Sequence, residues 1–221
     1  MKKLLTLALL LSLTTAAAAA PPPDAKSIAE AVDRRYNNLR SLRAEFTEIY
    51  RGAGIERTES GTLWLKRPGK MRWEYRQPRE KLFLTDGKDA WFYVPGERQA
   101  RKAPLKKLDD LRSPLRYLLG RTKLAKEFDD LALAVDVTPL TRGNVMLRGA
   151  PRGLADRVTA VLLEITPESR IARLLIEEVD GASTEFRFAN MAENPAVSDQ
   201  KFQLSLPADV EVVESTEQPA P

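Results

Sequence analysis

An alternation of apolar and polar side chains, repeated over most of the chain from Leu42 onward, restricts the possible folds more than any other feature. Successive side chains of a β-strand point to opposite faces, so this alternation indicates strands with one buried face. Short turn sequences, among them Pro68-Gly69 and Asp86-Gly87, separate the alternating runs. The pattern predicts about ten or eleven mostly consecutive strands, paired as one large antiparallel sheet.

A sheet of this width twists and curls, and it forms either a closed barrel or a partly closed one with a concave face. The alternation makes that concave face apolar. Two regions have helical spacing instead: an amphipathic stretch that Asp24 can cap and that ends near Leu39, and a leucine-rich insert, "PLKKLDDLRSPLRYLLG". We expect an α+β fold, mainly antiparallel β, in which the insert forms short helices that cover the concave face.

The N-terminus predicts export. Lys2 and Lys3 precede an apolar run from Leu4 to Leu13, and small residues follow as a cleavage site requires. The run is shorter than the roughly 20 residues that a spanning helix needs. We therefore expect a signal peptide at residues 1–20, one domain at 21–214, a disordered polar tail at 215–221, and a mature protein that is exported and soluble.

The chain contains no Cys and no His. This composition removes thiol nucleophiles, Cys/His zinc sites, Ser-His-Asp triads and disulfides. We expect no catalytic residue, no metal site and no cofactor. The formal net charge of +4 is small for 221 residues, so charge alone does not demand a polyanionic partner.

Basic and aromatic residues between positions 61 and 81 raise the alternative of single-stranded nucleic-acid binding. On a strand, however, Trp73 and Tyr75 point away from the face that carries Arg72 and Glu74. This segregation favours a buried aromatic face and a solvated charged face, and we expect no nucleic-acid partner. A glycosidase-like function requires two facing carboxylates, and no pair in the sequence is fixed in that arrangement.

Nine apolar residues from four neighbouring predicted strands are candidates to line the concave face. One half-curled sheet has a large apolar face and few helices to fill it, so part of that face can form a cavity for an apolar ligand. The pattern alone leaves a solid core as an equal alternative. The candidates are Leu63, Leu65, Met71, Trp73, Tyr75, Leu82, Leu84, Trp91 and Tyr93.

Two blocks, "SGTLWLKRPGKMRWEY" and "LFLTDGKDAWFYVP", resemble the outer-membrane lipoprotein carrier family, the LolA family of periplasmic chaperones. The resemblance implies an incomplete antiparallel barrel with a helical lid and a cavity for the acyl chains of lipoproteins. It implies three partners: acylated lipoproteins, an inner-membrane ABC transporter that loads the carrier, and an outer-membrane lipoprotein receptor that unloads it. The receptor is anchored through a Cys, which this chain lacks, so the chain resembles the carrier, which we expect to be a monomer.

The resemblance also assigns roles to particular residues. Arg67 resembles the residue that latches the lid, and we expect its guanidinium to bond lid carbonyls in the empty state. Met71 stands where many family members have Phe, which leaves another lipid on the same fold as an alternative cargo. The leucines expected to fill the empty cavity are Leu108, Leu111, Leu115 and Leu118.

Overall fold

A computed structural model describes residues 24–104 and 123–214. Three predicted features lie outside the described residues: the signal peptide at 1–20, the lid leucines Leu108, Leu111, Leu115 and Leu118, and the tail at 215–221. They remain predictions.

Helix α1 spans Ala25–Asn38, as its apolar periodicity predicts. The side chain of its N-cap, Asp24, accepts a hydrogen bond of 2.7 Å from the backbone N–H of Ser27, which satisfies one of the unpaired donors of the first turn. Ile28, Ala29, Val32 and Tyr36 are its buried residues, so one face of α1 packs against the sheet.

Twelve strands follow α1 in the described residues. The first six are β1 (Ser41–Gly52), β2 (Ile55–Lys66), β3 (Lys70–Gln77), β4 (Lys81–Asp86), β5 (Asp89–Tyr93) and β6 (Gln99–Pro104). After a short helix α2 (Leu124–Glu127) come β7 (Phe128–Leu133), β8 (Val145–Pro151), β9 (Val158–Ile165), β10 (Ile171–Glu178) and β11 (Ser183–Glu193). A 3₁₀ turn (Asp199–Phe202) and β12 (Glu211–Glu214) complete the set.

All twelve strands belong to one sheet with the order β12-β6-β5-β4-β3-β2-β1-β11-β10-β9-β8-β7. Every pairing is antiparallel except that of β12, which runs parallel to β6. Among the described strands, β7 and β12 form the two edges, so the curled sheet is an incomplete barrel. The predicted fold class is confirmed. The strand count exceeds the prediction because the four-residue β12 adds to the β6 edge.

The inner face of the sheet and the buried face of α1 form one hydrophobic core. The strand register places Leu63 of β2 opposite both Ala44 of β1 and Trp73 of β3, and it places Leu65 opposite Met71. Directly opposite residues in an antiparallel pair share a face, so these side chains line the inside together. On the other side of the barrel, Leu147, Leu163 and Leu174 continue the same face.

The outer face of β2, β3 and β4 is covered by the segment that joins β11 to β12, residues 194–210, which we name the strap. The backbone carbonyls of Val197 and Lys201 accept hydrogen bonds from Lys66 (2.8 Å) and Arg72 (3.1 Å). Phe202 of the strap is only 1% exposed. The apolar alternation of Phe202, Leu204 and Leu206 is typical of a strand, but residues 199–202 form the 3₁₀ turn and residues 203–206 are irregular.

Candidate functional site

A cluster of aromatic rings occupies the middle of the inner face. The ring of Phe46 on β1 lies 4.6 Å from Trp73 and 4.9 Å from Tyr75, in edge-to-face arrangements of 67° and 78°. Phe186 of β11 contacts Trp73 from the other side, with 5.6 Å between ring centroids. Such geometry is the favoured one for aromatic pairs. The side chain of Trp73 is fully buried at 0% exposure.

Met71 supplies a hydrogen-bond acceptor for the central ring of this aromatic cluster. The indole Nε1–H of Trp73 donates to the sulfur of Met71 over 2.7 Å. A buried tryptophan N–H needs an acceptor, and a thioether supplies a weak, polarisable one without adding charge. Gly61 allows β3 to approach β2 closely, since a Cβ at this position would clash with the backbone carbonyl of Glu74. The inner face therefore stays apolar and tightly packed at its centre.

The structure divides the nine predicted lining residues between the two faces. Leu63, Leu65, Met71, Trp73 and Tyr75 lie on the inner face, and their contact with lipid stays a prediction.

The prediction is wrong for Leu82, Leu84, Trp91 and Tyr93. Leu82 lies opposite Glu74 and Tyr93, and Leu84 lies opposite Arg72 and Trp91, which places all four apolar residues on the outer face.

Phe83 and Phe92 take the inner positions on β4 and β5 instead. Phe83 lies opposite Trp73, and Phe92 lies opposite Phe83. Both belong to the inner core, Phe92 at its partly buried margin. The run Leu82-Phe83-Leu84 is apolar at every position, so its alternation carries no information about which residues face inward.

Helix α1 covers the inner face and is held there by polar contacts along its length. Tyr36 accepts a hydrogen bond of 3.0 Å from the backbone N–H of Ile171, and Asp33 accepts from the backbone N–H of Leu124 at 3.0 Å. Arg35 forms an ion pair of 2.6 Å with Glu193. Burial raises the pKa of Tyr36 to about 12, so its hydroxyl stays protonated.

Arg67 holds the C-terminal end of α1. Its guanidinium donates to the carbonyls of Asn37 (2.7 Å) and Tyr36 (2.8 Å). The last carbonyls of a helix have no partner within the helix, and the fork of donors on an arginine fits them. The family resemblance predicted bonds from Arg67 to carbonyls of the lid, which was expected in the leucine-rich insert. The described bonds of Arg67 go to α1, and its role as a latch stays a prediction.

One end of the inner face is polar, a feature that the sequence argument missed. Tyr75 donates to the carboxylate of Glu48 over 2.7 Å, and Lys81 donates to Glu59 over 2.7 Å. Both carboxylates are buried, at 5% and 7% exposure. Burial raises the pKa of Glu48, and the Tyr75 hydrogen bond opposes that rise. The signal was present, since Glu48 has the inward parity of Phe46 on β1.

Residues 24–104 and 123–214 hold neither a metal-binding cluster nor a helix that could span a membrane. No group of three or more Asp or Glu side chains there is arranged to hold a metal ion. No helix in the same part of the chain is long and apolar enough to cross a membrane.

An open antiparallel sheet with an apolar inner face under a helix defines a class of β proteins built around an internal apolar surface. The chain belongs to the family described as "Outer membrane lipoprotein carrier protein LolA", whose model matches residues 37–205. The family resemblance inferred from the sequence is thereby confirmed.

Curated relatives carry the same description. An outer-membrane lipoprotein carrier protein from Nitrosospira multiformis is 30% identical over 181 residues, which cover 80% of this chain and 83% of that protein. One from Dechloromonas aromatica is 28% identical and covers 84% and 88%. An uncharacterized conserved protein from Thermus thermophilus has the same fold, with a TM-score of 0.57 at 15% identity, covering 86% of this chain and 99% of that one.

Proposed function

We propose that this protein is a periplasmic carrier that binds the acyl chains of lipoproteins against the inner face of its sheet. The observation that carries the proposal is the continuous apolar inner face, with Trp73 and Phe46 at its centre, closed by a separate helix. Membership of the lipoprotein carrier family supports the choice of cargo. The carrier acts by binding and transfer, and no catalytic residue is assigned.

A carrier must release what it binds. Burying one 16-carbon acyl chain is worth roughly 12 kcal/mol at about 0.8 kcal/mol per CH₂ group. A site that captured this free energy in full would hold its cargo too tightly for transfer. An empty state in which the protein fills its own cavity competes with the cargo and lowers the apparent affinity. We assign that role to α1 together with Leu108, Leu111, Leu115 and Leu118.

Arg67 stabilises this closed state in the proposal. Its two hydrogen bonds to the end of α1 exist only while the helix lies over the inner face. Hydrogen bonds to a charged group contribute about 1.5–3 kcal/mol. Cargo that displaces α1 must break them, and they form again when cargo leaves. Arg67 therefore favours unloading by making the empty state more stable.

The route follows from the family and from the N-terminus. Residues 1–20 direct export and are removed, and residues 21–214 act as a monomeric domain in the periplasm. An inner-membrane ABC transporter loads the carrier, and an outer-membrane lipoprotein receptor accepts the cargo. These partners are those that the carrier family implies.

The test is identification of the bound molecule. We would purify the mature protein from the periplasm of its native host without detergent and analyse it by native mass spectrometry. The expected result is a complex with acylated lipoproteins, and a complex with a different lipid would replace the cargo while keeping the carrier function. A protein that carries no lipid under any condition tested would indicate that the inner face is a solid core.

A further inference from the structure

Polar residues end the inner-face rows of four neighbouring strands at the same end of the barrel. On β1 the inward row runs through Ala44 and Phe46 to Glu48, which precedes the half-buried Tyr50. The rows of β2, β3 and β4 reach Glu59, the hydroxyl of Tyr75, and Lys81. The register pairs Glu48 with Glu59, and Tyr75 with Lys81, so the four groups lie side by side. We name them the polar end.

The charges of the polar end are unequally paired. The ammonium group of Lys81 lies 2.7 Å from Glu59, and the guanidinium Nε of Arg57 lies 3.3 Å from the same oxygen. Lys81 also lies 4.1 Å from the centre of the Tyr75 ring. Among the described residues, no Lys or Arg forms an ion pair with Glu48, whose hydrogen-bond partner is the hydroxyl of Tyr75.

Such an arrangement is costly as a purely structural element. A buried carboxylate loses its hydration, and an apolar residue of similar size would fill the position without that loss. Burial accordingly raises the pKa of Glu48 and also that of Tyr75, whose neighbour Glu48 adds to the rise. Perturbed groups beside a candidate binding surface indicate a functional site more often than chance.

We propose that the polar end binds the uncharged ester or amide linkage of an acyl ligand and excludes the carboxylate of a free fatty acid. This inference rests on the proposed acyl-binding function. The carbonyl oxygen of an ester or amide can accept a hydrogen bond from Lys81. The N–H of an amide can donate a hydrogen bond to Glu48. A ligand carboxylate would instead place a third negative charge beside Glu48 and Glu59, while Lys81 and Arg57 are already paired with Glu59, in a site where water screens little.

The selectivity matches the needs of a lipoprotein carrier. A lipoprotein presents acyl chains joined through esters and an amide, whereas free fatty acids present the same chains with an anionic end. The aromatic cluster of Phe46 and Trp73 contacts only hydrocarbon and cannot separate the two. The polar end lies next to that cluster, because Tyr75 belongs to both. Chain binding and linkage recognition are therefore assigned to adjacent parts of one surface.

The experiment compares palmitate with monopalmitoylglycerol, each below its micellar concentration, at about pH 8, where free carboxylates are ionised. Binding is followed by the fluorescence of Trp73 in a Trp64→Phe, Trp91→Phe background. We expect the neutral ester to bind at least about tenfold more tightly than palmitate. Glu48→Gln, which keeps an acceptor for Tyr75, should bring the two affinities to within roughly threefold.

Glu80→Gln is the matched control, since Glu80 is exposed and its loss changes the net charge equally. It should keep the wild-type preference. If Glu48→Gln does not fold, Glu59→Gln decides the matter: it leaves Lys81 and Arg57 without their carboxylate and should strengthen palmitate binding. Equal affinities in the wild type, or a preference that survives both substitutions, would overturn the inference. Failure of both ligands to bind any variant would instead count against the acyl-binding function itself.

Discussion

The two faces of strands β2 to β4 come from one alternating sequence but are covered in different ways. On the inside, α1 packs through apolar side chains, and Arg67 bonds its C-terminal carbonyls. On the outside, the strap is held by buried Phe202 and by hydrogen bonds from Lys66 and Arg72 to its carbonyls, and Asp199 adds ion pairs of 2.7 Å with Lys66 and 3.0 Å with Lys70. It also carries β12, which pairs with β6. The strap is thus continuous with a strand of the sheet, whereas the inner face is covered by a helix.

This difference explains the mixture of basic and aromatic residues between positions 61 and 78. Trp73 and Tyr75 point inward to the apolar surface, while Lys66, Lys70 and Arg72 point outward and hold the strap. The basic side chains are engaged by the protein's own backbone and carboxylates. The mixture of basic and aromatic residues therefore arises from two faces of the same strands: the aromatic residues pack on the inner face, and the basic residues hold the strap on the outer face.

The largest expected effect is on the inner face. Trp73→Ala removes a fully buried indole from the aromatic cluster and should lower the free energy of unfolding by about 3–5 kcal/mol in urea denaturation. Trp64→Ala is the matched control on the outer face, where Trp64 is only partly buried. We expect a clearly smaller loss there. An equal or larger loss for Trp64→Ala would show that the inner face is not the core of the molecule.

A second prediction concerns the outer face near β9 and β10. Glu164, 1% exposed, accepts hydrogen bonds from the backbone of Leu140 (3.0 Å) and from Asn144 (2.8 Å), and it lies 3.0 Å from Arg173. Glu164→Gln keeps the shape but leaves donors unsatisfied, and it should cost about 2–3 kcal/mol of unfolding free energy at neutral pH.

The pH dependence of this effect has a defined sign. Burial pushes the pKa of Glu164 upward, but the hydrogen bonds and Arg173 outweigh it, so the pKa is lowered in the folded protein. A lowered pKa contributes stability above the ordinary glutamate pKa of about 4.3, and this contribution disappears as the pH falls through the folded value. The difference between wild type and Glu164→Gln should therefore shrink in acid, and a constant difference would contradict the assignment.

Arg67→Leu tests whether α1 can leave the inner face when cargo binds. The substitution removes the bonds to α1, so the open state becomes more populated and the affinity for a neutral acyl probe should rise by about tenfold or more. Transfer of lipoprotein to the receptor should slow while loading remains intact. Arg76→Leu, an exposed arginine of β3, serves as the control. Wild-type transfer by Arg67→Leu would show that Arg67 only caps the end of α1.

Asp199→Asn should have the smallest effect. The ion pairs of Asp199 with Lys66 and Lys70 are exposed, and such pairs contribute little. The strap retains Phe202 and its backbone bonds, so we expect only a slight drop in the melting temperature, which vanishes at high salt. Rapid proteolysis within residues 194–210 of the variant would contradict this, because it would show that the exposed ion pairs alone hold the strap.

The sequence predicted the sheet because alternation is a local property. Leu63, Leu65 and Trp73 each stand between polar residues, so their inward direction can be read from their neighbours. On β4 the outer residues Leu82 and Leu84 are also buried. Apolar residues suit these outer positions because the strap lies nearby, and its Leu204 lines the same groove as Leu82. That contact joins parts of the chain more than 100 residues apart, and no local pattern reveals it.

The candidate site also depends partly on contacts between distant parts of the chain, which no local pattern reveals. The family resemblance predicted that Arg67 bonds carbonyls of the lid, and only the tertiary structure shows that its described bonds go to α1. The polar end was overlooked although Glu48 and Glu59 have inward parity, since a charged residue in an alternating run suggests solvent exposure. Pairing of four strands in register is what brings these groups together.

The central claim is that acyl chains bind to the inner face, and the three tryptophans can test it directly. Trp73 lies inside, whereas Trp64 and Trp91 lie outside, near Lys201 (5.2 Å) and Lys102 (5.1 Å) respectively. A monoacylglycerol brominated on its chain would be titrated into two variants that retain only Trp73 or only Trp64. Bromine quenches an indole that it contacts. We predict saturable quenching of Trp73 and none of Trp64, and quenching of Trp64 alone, or of both equally, would contradict the account.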